Sequence, residues 1–485
     1  MTDDYLIEGG EAAGTLETDY LIIGAGAVGL AFADSLLDEQ PDAHITLVDK
    51  RAKPGGHWND AYSFVTLHQP SAFYGVNSMP LGTDRRDTAG PNAGLFELAT
   101  GAEVCAYYER LMKERLLPSG RVAYLPMHEW DGEVTARAIL SGKETRITVR
   151  RKTVDATYFA TEIPATHGPR FEVAQGVDLI APNALADLWR REETPGHYAV
   201  LGAGKTAMDA VLWLIEAGVD PQAITWVRPR DPWVLNRACT QPGLDDFETT
   251  MGGQAAMMEA LAKADDADDL FLRLEEAGFM LRIDRDVLPE MYHYPTASEA
   301  EIAIMRRVTN VVRKGRIDRI EPGVMHLDGG EERVPENTLF INCTARAVAQ
   351  RPPKPIFAGD TITLQMVRLP QPTFSAALIA FIESNYADDE AKNRLAQPIP
   401  LPDDLRDFAR SQFVNLLNQF NWSQDMEVQK WLVGARLDAF AKTVAQIGPE
   451  DTSRVELLQR MRANAQAAMA NIPKLMAAKA TEPAD

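Results

Sequence analysis

The stretch TDYLIIGAGAVGLAFADSLLDEQ, residues 18–40, leaves the chain few folds to choose from. An apolar run of strand length meets a turn with glycine at 24, 26 and 29, and a helical pattern then runs on to the residue before Pro41. The first glycine permits a tight turn, the second lets an anion approach the backbone, and the third lets helix and strand pack closely. The helix start adds free N–H groups and the positive end of the helix dipole. AHITLVDK follows as a second strand and ends at Asp49, 20 residues after Gly29. A carboxylate there accepts from both hydroxyls of a ribose. Strand, turn, helix and acid together read as a βαβ unit that binds a dinucleotide.

A second unit of the same kind lies at HYAVLGAGKTAMDAVLWLIEAG. Its turn carries Gly202, Gly204 and Ala207, the GxGxxA variant, and Gly218 stops the helix. Lys205 and Thr206 open that helix, where donors reach a pyrophosphate. The following strand, AITWVRPR, has no acid at the place of Asp49. Arg228 and Arg230 stand there instead, which suits the 2′-phosphate of NADPH better than the free ribose of NADH. The alternative is a solvated surface pair. Two nucleotide sites in one chain suggest a division of labour, with a tightly bound flavin in one and the nicotinamide that reduces it in the other.

The chain has 485 residues, enough for two or three domains. Lys and Arg total 49 against 70 Asp and Glu, a net charge of −21 that argues against nucleic acid or an anionic membrane as a general partner. Cys105, Cys239 and Cys343 are too scattered for a disulfide framework or a CxxC pair. The start lacks the pattern of a signal peptide, and no apolar run approaches the roughly 20 residues of a membrane span. A cytoplasmic setting is therefore expected. No metal site is expected either, because the histidines show no ligand spacing.

These features predict an α/β fold with two Rossmann-like dinucleotide-binding domains and a helical C-terminal segment. The FAD domain takes residues 18–160 and 311–400. The NADP domain, with a helical insertion, occupies 161–310 between them, and the helical segment covers 401–485. The apolar face of that segment offers a surface for a homo-oligomer.

The run VTLHQPSAFYG holds His68 and Gln69 inside an apolar, aromatic stretch. From the residues alone His68 is a metal ligand, a catalytic group beside a cofactor, or a core histidine with a satisfied hydrogen bond. The aromatic MYHYP, Met291 to Pro295, lines a pocket or simply packs, packing being the better reading. Gly359-Asp360 reads equally well as a cofactor contact and as a hairpin turn.

After Asp49 the chain continues KRAKPGGHWNDAYSFVTLHQPSAFYGVNSMPLG, and this segment resembles the flavin-containing monooxygenase superfamily. That group follows its FAD fingerprint with a GGxW element, here Gly55, Gly56 and Trp58, and LHQP is similar to the leucine-histidine-x-proline core of auxin-forming plant members. The resemblance extends over most of residues 18–385 and leaves the helical segment uncovered. It implies FAD held by Gly24, Gly26, Gly29, Asp49, Lys50, Gly56, Trp58 and His68, and NADPH held by Gly202, Gly204, Lys205, Thr206, Arg228 and Arg230. It also implies that reduced flavin and O2 form a C4a-hydroperoxide that oxygenates a small organic substrate. His68 and Gln69 are then the catalytic candidates on the flavin face, His68 with an ordinary pKa suited to moving protons near neutrality. His57 points to solvent or phosphate rather than to chemistry.

Two departures bear on the outcome. The superfamily's FxGxxxH would fall on Phe171, Val173 and Val177, and its Ala-Thr-Gly crossings read Ala156-Thr157-Tyr158 and Cys343-Thr344-Ala345. The alternatives are an FAD- and NAD(P)H-dependent reductase or oxidase without oxygen insertion, and a flavoprotein that binds nucleotides with its catalysis eroded.

Overall fold

The computed structural model describes residues 15–161, 163–344 and 351–477. Its first sheet forms around β1 (Thr15–Ile23), β2 (Ile45–Asp49) and β3 (Val122–Pro126). The strand order is Phe357–Ala358, Thr361–Thr363, Glu144–Asp155, β1, β2, β3, parallel from Thr361–Thr363 to β3. All five residues of β2 are buried, as expected of a parallel strand covered on both faces. Helix α1 (Ala27–Glu39) is buried almost all round, because the helix Pro372–Asn385 lies along it. Tyr20 Oη donates to Glu383 (3.1 Å), Gln40 Nε2 to Ser384 Oγ (3.1 Å) and Asn385 Nδ2 to Glu39 (3.1 Å). These contacts put the C-termini of the two helices together. Helix α2 (Gly101–Leu111) opens with a full capping box between Thr100 and Glu103.

The second sheet is wholly parallel, in the order Val311–Val312, Ile224–Val227, His197–Leu201, Thr338–Asn342, Asp178–Ile180. An antiparallel meander, Ile317–Glu321, Val324–Leu327 and Gly330–Arg333, covers it with the help of Glu172–Val173. Residues 311–342 therefore belong to the inserted domain, and the expected boundary at 310 is wrong by more than 30 residues. The chain rejoins the first sheet only at Phe357–Thr363, where Gly359-Asp360 forms the turn of an antiparallel hairpin.

The helical tail packs on both domains, with Trp422, Val428 and Leu437 in the first domain's core and the last helix on the inserted domain. Ala468, Ile472 and Leu475 of the helix Thr452–Ala477 are 0 to 2% exposed, in one core with Leu261, Phe271 and Phe408. Asn471 Nδ2 donates to the carbonyls of Leu261 (2.9 Å) and Ala264 (2.8 Å), capping the helix Phe247–Lys263. Part of the segment's apolar face is thus covered by the chain itself, while Phe420, Met426, Val433 and Met476 stay exposed. No helix among the described residues is long and apolar enough to cross a membrane.

Candidate functional site

At the first turn Gly24 has φ +104°, a left-handed conformation that favours glycine. A Cβ on Gly29 would collide with the Gly24 carbonyl, so that position also needs glycine. Gly26 is the N-cap of α1 and supplies no side-chain cap, leaving the first N–H groups of the helix open to an anion. The Gly55-Gly56 element docks on this turn. Gly55 N–H donates to the Ala25 carbonyl (2.8 Å), and a Cβ on Gly56 would stand 3.0 Å from Gly26 Cα. Asp49 is buried and braces both segments: Oδ2 accepts from Ala25 N–H (2.6 Å) and Oδ1 from Arg51 N–H (2.7 Å). Each oxygen keeps acceptor capacity for a ribose hydroxyl. Lys50 is exposed at the strand end. Trp58 Nε1 donates to Tyr74 Oη (2.8 Å), and its ring stacks on His57 at 5.4 Å. Burial, helped by the Arg51 cation, holds the His57 pKa down at about 4, so the ring is neutral near pH 7.

The neighbouring helix Pro372–Asn385 brings a group that the sequence reading missed. Its N-cap, Gln371, makes no side-chain cap bond, and buried Gln371 Oε1 and Thr373 Oγ1 find no partner among the described residues. Unpaired buried acceptors at a helix start are costly unless a ligand satisfies them. The signal was a proline at the first helical position, flanked by two polar residues ahead of an apolar helix.

The second turn repeats the first. Gly202 has φ +121°, and a Cβ there would stand 2.8 Å from the Cys343 carbonyl oxygen. Gly204 caps α3 (Lys205–Glu216) without a side-chain bond, is exposed, and has open space where a Cβ would project. Ala207 is fully buried against the sheet. The crossings after each sheet also match: Asp155 Oδ1 accepts from Thr157 N–H and Oγ1, and Asn342 Oδ1 does the same for Thr344.

Lys205 is ion-paired with Asp209 one helical turn on, and Tyr62 Oη donates to the other oxygen of Asp209 at 2.7 Å. Tyr62 belongs to the first domain, so this buried contact joins the two domains across 147 residues of sequence. Phe64 stacks on Trp213 beside it, at 5.0 Å. Burial and the Asp209 charge push the Tyr62 phenol well above its ordinary pKa, and it stays a donor. Thr206 is half-buried at the same helix start.

The two arginines expected at a 2′-phosphate separate. Arg228 is 2% exposed, lies 4.8 Å over the Trp226 ring and pairs with Asp231 at 2.9 Å. Burial lowers its pKa to about 10, and its guanidinium lies against Asp231 and the Trp226 ring. It is a core ion pair. Arg230 is half-buried and has no hydrogen bond or ion pair among the described residues.

His68 is half-buried, and its carbonyl accepts from Arg237 Nε at 3.1 Å. Burial pushes its ring pKa well below 6.5, and the nearby cations Lys205 and Arg237 push it further. The expected ordinary pKa is therefore corrected: His68 is a neutral imidazole at physiological pH. Gln69 beside it is half-buried. Tyr292 and Tyr294 pack with Phe271 and Phe408, as the packing reading had it. Phe171 and Val177 pack against the meander. No three His, Cys, Asp or Glu residues gather to hold a metal among the described residues.

A family model described as an NAD(P)-binding Rossmann-like domain matches residues 22–80. The uncharacterized protein Rv2000 of Mycobacterium tuberculosis is 44% identical over 470 residues, which is 97% of this chain and 86% of that protein. The FAD-dependent monooxygenase resA of Aspergillus sclerotiorum is 26% identical over 220 residues, 43% of this chain and 36% of that protein. Among solved structures, the polycyclic ketone monooxygenase of the fungus Thermothelomyces thermophila superposes with a TM-score of 0.50 at 11% identity, covering 96% of this chain and 90% of that one. The likeness to that structure is one of fold.

Proposed function

The chain belongs to the same family as Rv2000 of Mycobacterium tuberculosis, and from its two glycine turns we propose that it is an FAD-containing, NADPH-dependent monooxygenase. It acts on a small organic substrate with O2. The observation that carries this reading is the pair of uncapped helix starts, one on each parallel sheet, in two domains that Tyr62 and Asp209 tie together. The partial identity to the FAD-dependent monooxygenase resA supports the flavin half.

The residues fit both cofactors. The N–H groups after Gly26 take the FAD pyrophosphate, and the spare lone pairs of Asp49 take its ribose. The helix start at Gln371 and Thr373 offers polar groups for the far end of the same ligand. The open N-terminus at Gly204, with Lys205 and Thr206, takes the NADPH pyrophosphate, and Arg230 is the group for its 2′-phosphate. Lys205 then shares its charge between Asp209 and the phosphate. Once bound, FAD supplies the hydride acceptance and the oxygen chemistry. Neutral His68 donates or accepts one hydrogen bond and carries no positive charge into the site.

The test is direct. Purified protein loaded with FAD and reduced by NADPH without air is mixed with oxygen in a stopped-flow spectrometer. The reading requires a transient absorbance unlike either oxidised or reduced flavin. Immediate return of oxidised flavin, with and without NADP+, rejects it. The second reading, a reductase or oxidase without oxygen insertion, is favoured by Val173 and Val177 standing where FxGxxxH has glycine and histidine.

A further inference from the structure

The loop that carries His68 and Gln69 is gripped by cations from two sides. From the inserted domain, fully buried Arg237 donates Nε to the His68 carbonyl (3.1 Å), Nη1 to Asn92 Oδ1 (3.0 Å) and Nη2 to the Thr296 carbonyl (3.3 Å), and pairs with Glu301 (2.8 Å). From the tail, Arg436 reaches the other end of the loop. Its Nη1 donates to the Ala72 carbonyl (2.9 Å), Nη2 to those of Tyr74 (2.6 Å) and Val76 (2.6 Å), and Nε again to Val76 (2.9 Å). The next residue, Leu437, donates its N–H to Asn77 Oδ1 (3.2 Å), and Phe440 stacks on Phe73 at 5.3 Å.

Three backbone carbonyls on one guanidinium is a specific arrangement. The short 3-10 turn Ser71–Phe73 curls the chain so that the carbonyls of 72, 74 and 76 converge. A planar fork with five donors meets them, which an ammonium cannot do from one point. Arg436 makes no ion pair with a carboxylate among the described residues, and burial lowers its pKa. Its charge is directed at the loop backbone. Other bonds also hold the loop, Leu67 N–H to the Ala99 carbonyl (2.9 Å), Ser71 N–H (3.1 Å) and Oγ (3.0 Å) to the Glu97 carbonyl, Ala99 N–H to Ser71 Oγ (2.8 Å) and Val76 N–H to Tyr107 Oη (2.9 Å), but none of them engages the carbonyls of 72, 74 or 76.

We infer that Arg436 is a positioning residue through which the C-terminal helical segment sets the 65–77 loop and with it His68 and Gln69. The placing of the loop is a property of the chain alone. Its consequence for chemistry rests on the function proposed above.

Hydrogen–deuterium exchange read by mass spectrometry tests this on the full chain, with FAD and after its removal. In Arg436→Gln, amides of residues 67–76 should exchange at least about tenfold faster, the scale of losing charge-assisted bonds. Peptides over β1 and β2 should be unchanged. Arg436→Lys should give a smaller rise, since it keeps the charge without the fork. A merely structural anchor would instead lower the melting temperature and speed exchange everywhere, or leave the loop unchanged. Either result overturns the inference. If Arg436→Gln does not fold, Phe440→Ala at a half-buried position decides: exchange confined to the loop must rise a few-fold, and no rise overturns it. Failure of the wild type to hold FAD would reject the proposed function while leaving the FAD-free exchange result standing.

Discussion

His57 should make the protein acid-sensitive by an amount the structure sets. Its pKa falls from 6.5 to about 4 on folding, through burial first and the Arg51 cation second, against an opposing pull from Asp60. The sign follows from proton counting. Below pH 6.5 the unfolded chain takes up a proton that the folded chain refuses until pH 4, so acid favours the unfolded state. This stability is fully present above pH 6.5, is lost as pH falls, and stops changing below about 4. Near pH 5 the loss from this one ring is about 2 kcal/mol, from about 1.4 kcal/mol per pKa unit. His68 shifts in the same direction and steepens the same limb. Urea unfolding near pH 7.5 and near pH 5 measures the loss in the wild type and in His57→Phe. The variant keeps an aromatic partner for Trp58 and removes the titration, so its acid loss should be smaller by about 2 kcal/mol. An equal loss in both proteins would refute the argument and place the acid limb in other groups.

Other expectations can be checked with purified variants. Arg230→Ala should lower the preference for NADPH over NADH by about tenfold or more with little change in stability, because the side chain has no described partner. Arg228→Ala should instead cost about 3 kcal/mol of stability in urea, since it uncovers buried Asp231, and leave the coenzyme ratio intact if the protein folds. Ile472→Ala, in the fully buried face of the last helix, should cost about 2–5 kcal/mol with cofactor affinity unchanged.

The two turns were legible because their chemistry is local. The glycine spacing marks both turns within a few residues, and Gly29 is required by the nearby Gly24 carbonyl, although the close approaches at Gly26 and Gly202 come from Gly56 and Cys343, farther along the chain. The division of Arg228 from Arg230 was harder, although the alternation of a strand carries part of it: Arg228 follows Trp226 by two and shares its buried face. The boundary at 310 failed because Ile317–Arg333 reads as a meander whichever sheet it joins, and its partners lie more than 100 residues away. Nothing near Tyr62 points to Asp209, and nothing near His68 points to Lys205 or Arg237. These charges add to the effect of burial on Tyr62 and His68, and only the folded chain brings them together. The destination of the tail was hidden in the same way, since an apolar helical face looks alike whether it meets a second copy or its own chain.

The central claim is that the first turn holds FAD and the second holds the NADPH that reduces it. Gly204→Asp tests it most directly, because the position has extended backbone and open space, so the substitution adds a negative charge at the helix start without strain. Under anaerobic conditions the variant should keep its FAD, be bleached normally by dithionite, and be reduced by NADPH at least about a hundredfold more slowly than the wild type, a loss of about 2.7 kcal/mol. Unchanged reduction by NADPH, or loss of FAD with the second turn alone altered, would contradict it.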